Sequence, residues 1–350
     1  MVGLSAQTPD PYLQLVRMYR TDPSPAAVSM SRLPPKVIDE GVRRLVEESA
    51  FRCASVAHCS QHDLLAAAML HADAAEQLIG GGANHAEPHL YAGRRLLRAT
   101  RGATTFAVRW YAFVARLLLA HGYHDAAKVI VGEGRTRYNE APELFVVLGL
   151  ITEWRAGLSG VGWFAGDLRG AAIRNELFDQ SLGSTDPGSS TYRGSVFSDL
   201  EKAAVDYRRA LAAEPTHAAA RIRLAWVHLL AGDARVWEDV SAEFLDTADA
   251  QPRLVARLIR GTVAERERKF DVALTEYREA WHADAGSQTA CLAVSGGQAL
   301  NGDFAGADTT AAECLALGND ADRIDPWTLF RMGLMDSTTT RWLHDEARHP

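Results

Sequence analysis

The chain has 350 residues, more than one hydrophobic core usually serves, so it calls for two domains or an architecture that grows by stacking. Its 47% hydrophobic and 23% charged residues exclude a disordered or fibrous chain. A formal net charge of −7, with no basic run, speaks against nucleic acid or an anionic membrane as the main partner.

Residues 1–34, rich in Pro, Ser and Asp, read as an N-terminal extension with one amphipathic stretch, Tyr12 to Tyr19. The first seven residues are too short for a signal peptide, yet Gly3 to Gln7 resemble the surroundings of a cleavage site. The expected location is therefore the cytoplasm, or outside it if an export signal was truncated or missed. No window reaches the roughly 18 uninterrupted apolar residues of a membrane helix. The best, Phe106 to His121, is broken by Arg109 and Arg116.

Residues 35–155 read as divergent helical repeats. The Pro34-Pro35 pair starts a helix at Lys36, with Val37, Ile38, Val42, Leu45 and Val46 at helical spacing. Leu64 to Ile79 is an alanine-rich helix stopped by Gly80-Gly81-Gly82. Leu90 to Ala99 and Thr105 to Ala120 follow, and the His121 to Ala127 turn opens a partner helix. Glu143 to Trp154 begins a further unit, with Gly149 where a neighbouring helix must come close. Its second helix is delayed by residues 156–198, a Gly/Ser-rich insertion read as a long loop. That segment lacks both nucleotide-binding glycine motifs, and no lysine lies between 129 and 201. Trp163-Phe164 has nothing local to bury it and makes the insertion a candidate lid.

The second helix then runs from Leu200 to Ala213 and stops at Glu214-Pro215. From here a rhythm is visible. Ala203 and Ala210 flank Tyr207, and 70 residues later Ala273 and Ala280 flank Tyr277. Phe270 and Ala273 recur 34 residues on as Phe304 and Ala307. Ala225, Gly261 and Ser295 are small residues midway along first helices, and Gly232-Asp233 and Gly302-Asp303-Phe304 are turns. The unit from Leu224 to Gln251 departs from this pattern, with Trp237 and Phe244 where alanines are expected. Asp325-Pro326-Trp327 with Leu329, Phe330 and Met332 predicts a short closing helix over the last repeat's apolar face. Residues 336–350 read as a tail.

A period near 34 residues marks stacked helix-turn-helix units. Residues 199 to about 321 resemble the tetratricopeptide repeat family, the closing helix completing a region 199–335, and roughly 100–155 resemble it more weakly; the layout is similar to uncharacterised bacterial proteins of that family. The resemblance implies an all-α, right-handed α-solenoid of antiparallel helix pairs with one long loop insertion. It also implies that first helices line a concave surface. On it, helix periodicity places Ile222, Trp226 and Leu229, then Leu258, Thr262 and Glu265. Family members that clamp a C-terminal carboxylate use lysines and asparagines on this face, and this chain has none there.

Chemistry is sparse. Cys53, His58, Cys59 and His62 are four potential zinc ligands without a Cys-x2-Cys pair, and turn residues are the simpler reading. His85-Ala-Glu-Pro-His89 reads as a loop and helix start. Cys291 and Cys314 read as buried free thiols. Trp110, Trp154 and Trp281 are assigned to packing. With no catalytic motif, the expectation is a protein that binds a peptide segment of another protein, without cofactor, metal or catalysis. The alternative is an enzyme or metal-dependent protein with its site in 156–198 or in the Cys53 to His62 cluster.

Overall fold

The computed structural model describes residues 16–17, 59–79, 83–100, 102–155, 187–233, 235–240, 250–317, 325–333 and 337–348. The expected helix from Lys36, Cys53, His58, Trp163, Phe164 and Phe244 lie outside them. Among the described residues every regular element is a helix. The chain divides into two compact units, one of residues 1–138 with 337–350 and one of residues 139–336.

In the first unit α1 (Gln61–Ile79) pairs with α2 (Ala83–Ala99), and α3 (Thr104–Ala120) pairs with α4 (His124–Arg137). The expected tail forms a helix, α14 (Ser337–Arg348), that packs on α1 and α3. The His85 to His89 stretch is helical, inside α2, despite Pro88. His89 is buried and its Nδ1 lies 3.1 Å from Nδ1 of buried His71. Trp110 of α3 reaches both α2 and α1: a Cβ on Gly93 would fall 2.6 Å from its ring, and its indole N–H donates to the Ala68 carbonyl at 3.0 Å.

In the second unit four helix pairs follow one another. They are α5 (Pro142–Arg155) with α6 (Pro187–Ala213), α7 (Ala218–Ala231) with α8 (Val236–Asp239), α9 (Ala250–Arg266) with α10 (Phe270–Ala283), and α11 (Gln288–Leu300) with α12 (Phe304–Leu317). The first helices also touch in sequence, α5 to α7, α7 to α9 and α9 to α11. Helix α6 starts at Pro187, not at Leu200, so the last part of the expected insertion is helical. Proline at the first position of a helix explains the earlier start, because its missing N–H needs no partner there.

Small residues set the approach within pairs. A Cβ on Gly149 would lie within 2.8 Å of three ring carbons of Tyr207, and one on Gly261 within 3.0 Å of three of Tyr277. Both tyrosines are buried, and each hydroxyl donates to the glutamate four residues past its glycine: Tyr207 to Glu153, and Tyr277 to Glu265 at 2.9 Å. The turns repeat too. Gly122, Gly232, Arg268 and Gly302 all have positive φ, and in each the next residue's N–H returns to the helix it leaves. Only Arg268 does so with a side chain, at φ 59°. The helix starts at His217 and Ser287, 70 residues apart, each cap a backbone N–H three residues on.

Two cysteine readings are corrected. Cys291 and Cys314 form a disulfide, their Cα atoms 5.5 Å apart, because pairing of α11 with α12 sets them opposite each other. Cys59 is disulfide-bonded as well.

Candidate partner-binding site

Five of the six residues expected to line an open surface are buried, and Glu265 is half-buried. Ile222, Trp226, Leu229 and Leu258 lie in one buried cluster, and Thr262 is buried with its hydroxyl on the Leu258 carbonyl at 2.9 Å. Glu265 accepts from Tyr277, so it serves its own helix pair and not a ligand. What covers Trp226 is the closing helix α13 (Pro326–Met332). Its Trp327 and Phe330 rings meet the Trp226 ring edge-on, with centroids 5.4 and 6.1 Å away.

That corrects the expected role of α13. It does not lie over the last repeat: Phe304 and Leu315 on α12 are 69% and 67% exposed. Instead, residues 325–333 touch the first helix of every pair in the unit. Asp325 accepts from the Ser287 hydroxyl at 2.9 Å and the Thr289 backbone N–H at 3.1 Å, at the N-terminus of α11. The Pro326 carbonyl accepts from Gln251 of α9 at 3.5 Å. Trp327 and Phe330 sit on Trp226 of α7. Gly333, buried, lies where a Cβ would meet Leu150 of α5 at 3.3 Å.

Each contact has a local cause. Asp325 is the N-cap of α13, its carboxylate taking the Trp327 N–H at 2.9 Å, and Pro326 follows at the first helical position. The same carboxylate caps α11, where the unsatisfied N–H groups and the helix dipole favour an anion. Gly333 closes α13 at φ 71°, a conformation that glycine adopts without strain.

A charged residue at this face is Arg223, one position after Ile222 and three before Trp226. Its guanidinium stacks on the Phe330 ring at 3.8 Å, donates to the Phe330 carbonyl, and pairs with buried Glu153 at 3.4 Å. Glu153 also holds Tyr207, so one carboxylate ties α5, α6 and α7 and aims the cation that α13 uses. Arg223 was missed because a lone arginine between apolar helix positions carries no signal of what it faces.

No family model matches the chain, and no curated protein matches it either.

Of the other expected sites, Cys59 is oxidised, and a disulfide sulfur is not the thiolate that binds zinc. Among the described residues no group of three or more His, Cys, Asp or Glu could hold a metal ion. No described helix is long and apolar enough to cross a membrane. His228 bridges Asp239 and Arg208 through its two ring nitrogens, a pairing that holds α6, α7 and α8 together.

Proposed function

We propose that residues 139–336 form a tetratricopeptide-like, right-handed solenoid segment whose first helices hold a segment of another protein. The observation that carries this is the strip of contacts made by residues 325–333 across the first helices of four successive pairs. A surface that accepts one short helix through two aromatic anchors and backbone hydrogen bonds has the attributes of helix-in-groove recognition. Tryptophan and arginine, here Trp226 and Arg223, are the residue types that dominate such interfaces. The shared Tyr207/Gly149 and Tyr277/Gly261 crossings support the family likeness. The reading is of a binding protein, not an enzyme. The bond between Cys291 and Cys314 and the oxidised Cys59 favour an oxidising compartment over the cytoplasm.

Selection of a random peptide library on the full chain tests it. A convergent peptide family whose binding is lost in Trp226→Ala is expected. Enrichment no better than on a bare support, or binding untouched by that substitution, overturns it.

A further inference from the structure

We infer that residues 325–333 are a built-in stand-in for the partner, so that the partner's segment is a short helix opened by an acidic cap and carrying aromatic anchors three residues apart. The inference rests on the groove reading above and adds the ligand's chemistry and a competition for the site.

Three features separate this segment from ordinary core. Helix α13 has seven residues, too short to be stable alone, so its shape depends on the surface it meets. The helix pairs beneath it also pack on one another: each first helix meets its own second helix, and α5, α7 and α9 each meet the next first helix. Finally, the surface reads the segment's backbone as well as its side chains. Gln251 donates to the Pro326 carbonyl and Arg223 to the Phe330 carbonyl, which also accepts the Gly333 N–H that closes the helix.

The chemistry follows position by position. The α11 N-terminus, with the Ser287 hydroxyl and Thr289 N–H, takes a carboxylate. Trp226 takes two aromatic rings in T-shaped contact, at positions two and five after that carboxylate. Arg223 takes the second aromatic face and the carbonyl of the same residue, its charge already balanced by Glu153. A neutral or basic residue at the cap, or an aliphatic at the second aromatic position, forfeits contacts that the site is built to make. Because the chain's own segment fills the site, a partner binds only the fraction of molecules in which it has left. Its apparent affinity is lowered by that fraction.

The test uses the full chain and the blocked nine-residue peptide Asp-Pro-Trp-Thr-Leu-Phe-Arg-Met-Gly, the sequence of residues 325–333. Its binding is measured by fluorescence anisotropy to wild type and to the Trp327→Ala/Phe330→Ala double variant. The inference expects the vacated variant to bind at least about tenfold more tightly than wild type, as removal of an internal competitor requires. A further Trp226→Ala, or alanines at both aromatic positions of the peptide, should abolish the gain. Equal affinity for wild type and a folded double variant overturns the inference, as does a gain that survives Trp226→Ala. If the double variant does not fold, a benzophenone in place of Leu329 of the peptide decides on wild type. Cross-links to α7 or α9 support the inference, and their absence overturns it. If library-selected peptides bind through Trp226 while this peptide does not, the groove reading stands and the stand-in falls; if neither binds, both fall. Dimers of wild type formed by exchange of 325–333 between copies, seen by light scattering and lost in the double variant, would make a second copy the occupant and overturn the partner assignment.

Discussion

Gly261→Ala pits two effects of opposite sign against each other. In an exposed helix interior the change stabilises by about 1 kcal/mol, since alanine loses less backbone freedom on folding. Here the new methyl would lie within 3.0 Å of three Tyr277 ring carbons, where carbon pairs settle at about 3.5–4.0 Å. The ring cannot move freely: Tyr277 is buried and its hydroxyl is fixed to Glu265 at 2.9 Å. Overpacking costs about 1–3 kcal/mol, and a ring shift that loses the bond to a charged carboxylate adds about 1.5–3 kcal/mol. After the helix gain is subtracted, a net loss of about 1.5–5 kcal/mol remains. For a unit of this size that lowers the melting temperature by roughly 3–20 °C. Circular dichroism at 222 nm measures it directly. Repeating the substitution in a Tyr277→Ala background should reverse its sign, with a coupling of about 3 kcal/mol in the double-mutant cycle. A single Gly261→Ala variant that melts higher than wild type would refute the crossing.

Arg268→Gly should raise the melting temperature, because Arg268 alone among the turn residues carries a side chain at positive φ; the relief is about 1 kcal/mol, and Gly302→Ala should shift it the other way. Reduction of the bond between Cys291 and Cys314, separated by 23 residues, should cost about 3 kcal/mol by loop entropy, and a non-reducing peptide map should recover the two cysteines linked. Burial, and then the neighbouring His89, hold the His71 pKa well below its ordinary value of 6.5. The unfolded chain therefore binds more protons than the folded one below about pH 6.5, and stability should fall as pH drops through that value. His71→Leu should flatten that slope in urea titrations between pH 7 and 5; an unchanged slope would remove the pair as its source.

The sequence was legible where a residue's role depends on its own helix and the one beside it. Gly149 and Gly261 each lie against a tyrosine of the paired helix, Tyr207 and Tyr277, and Leu64 to Ile79, Thr105 to Ala120 and Glu143 to Trp154 are helices to within three residues at each end. It failed where the partner is distant in the chain. Trp226 shows the same periodicity whether it faces water or Trp327, 101 residues later, and only the fold brings them together. Arg268 takes a glycine's turn without a glycine's signal. His85 to His89 read as a loop and helix start, yet α2 runs through the whole stretch, Pro88 included. Cys291 and Cys314 sit on two helices whose antiparallel pairing, not their spacing, allows the bond.

The central claim, that the first helices of residues 139–336 form a binding face centred on Trp226, is tested most directly by isothermal titration of a library-selected peptide. Wild type, Trp226→Ala and the outer-face control Val272→Ala, whose valine is exposed on α10, are compared. The account predicts at least a tenfold weaker Kd for Trp226→Ala, about 1.4 kcal/mol or more, and an unchanged Kd for Val272→Ala. Equal affinity for wild type and a folded Trp226→Ala would contradict it.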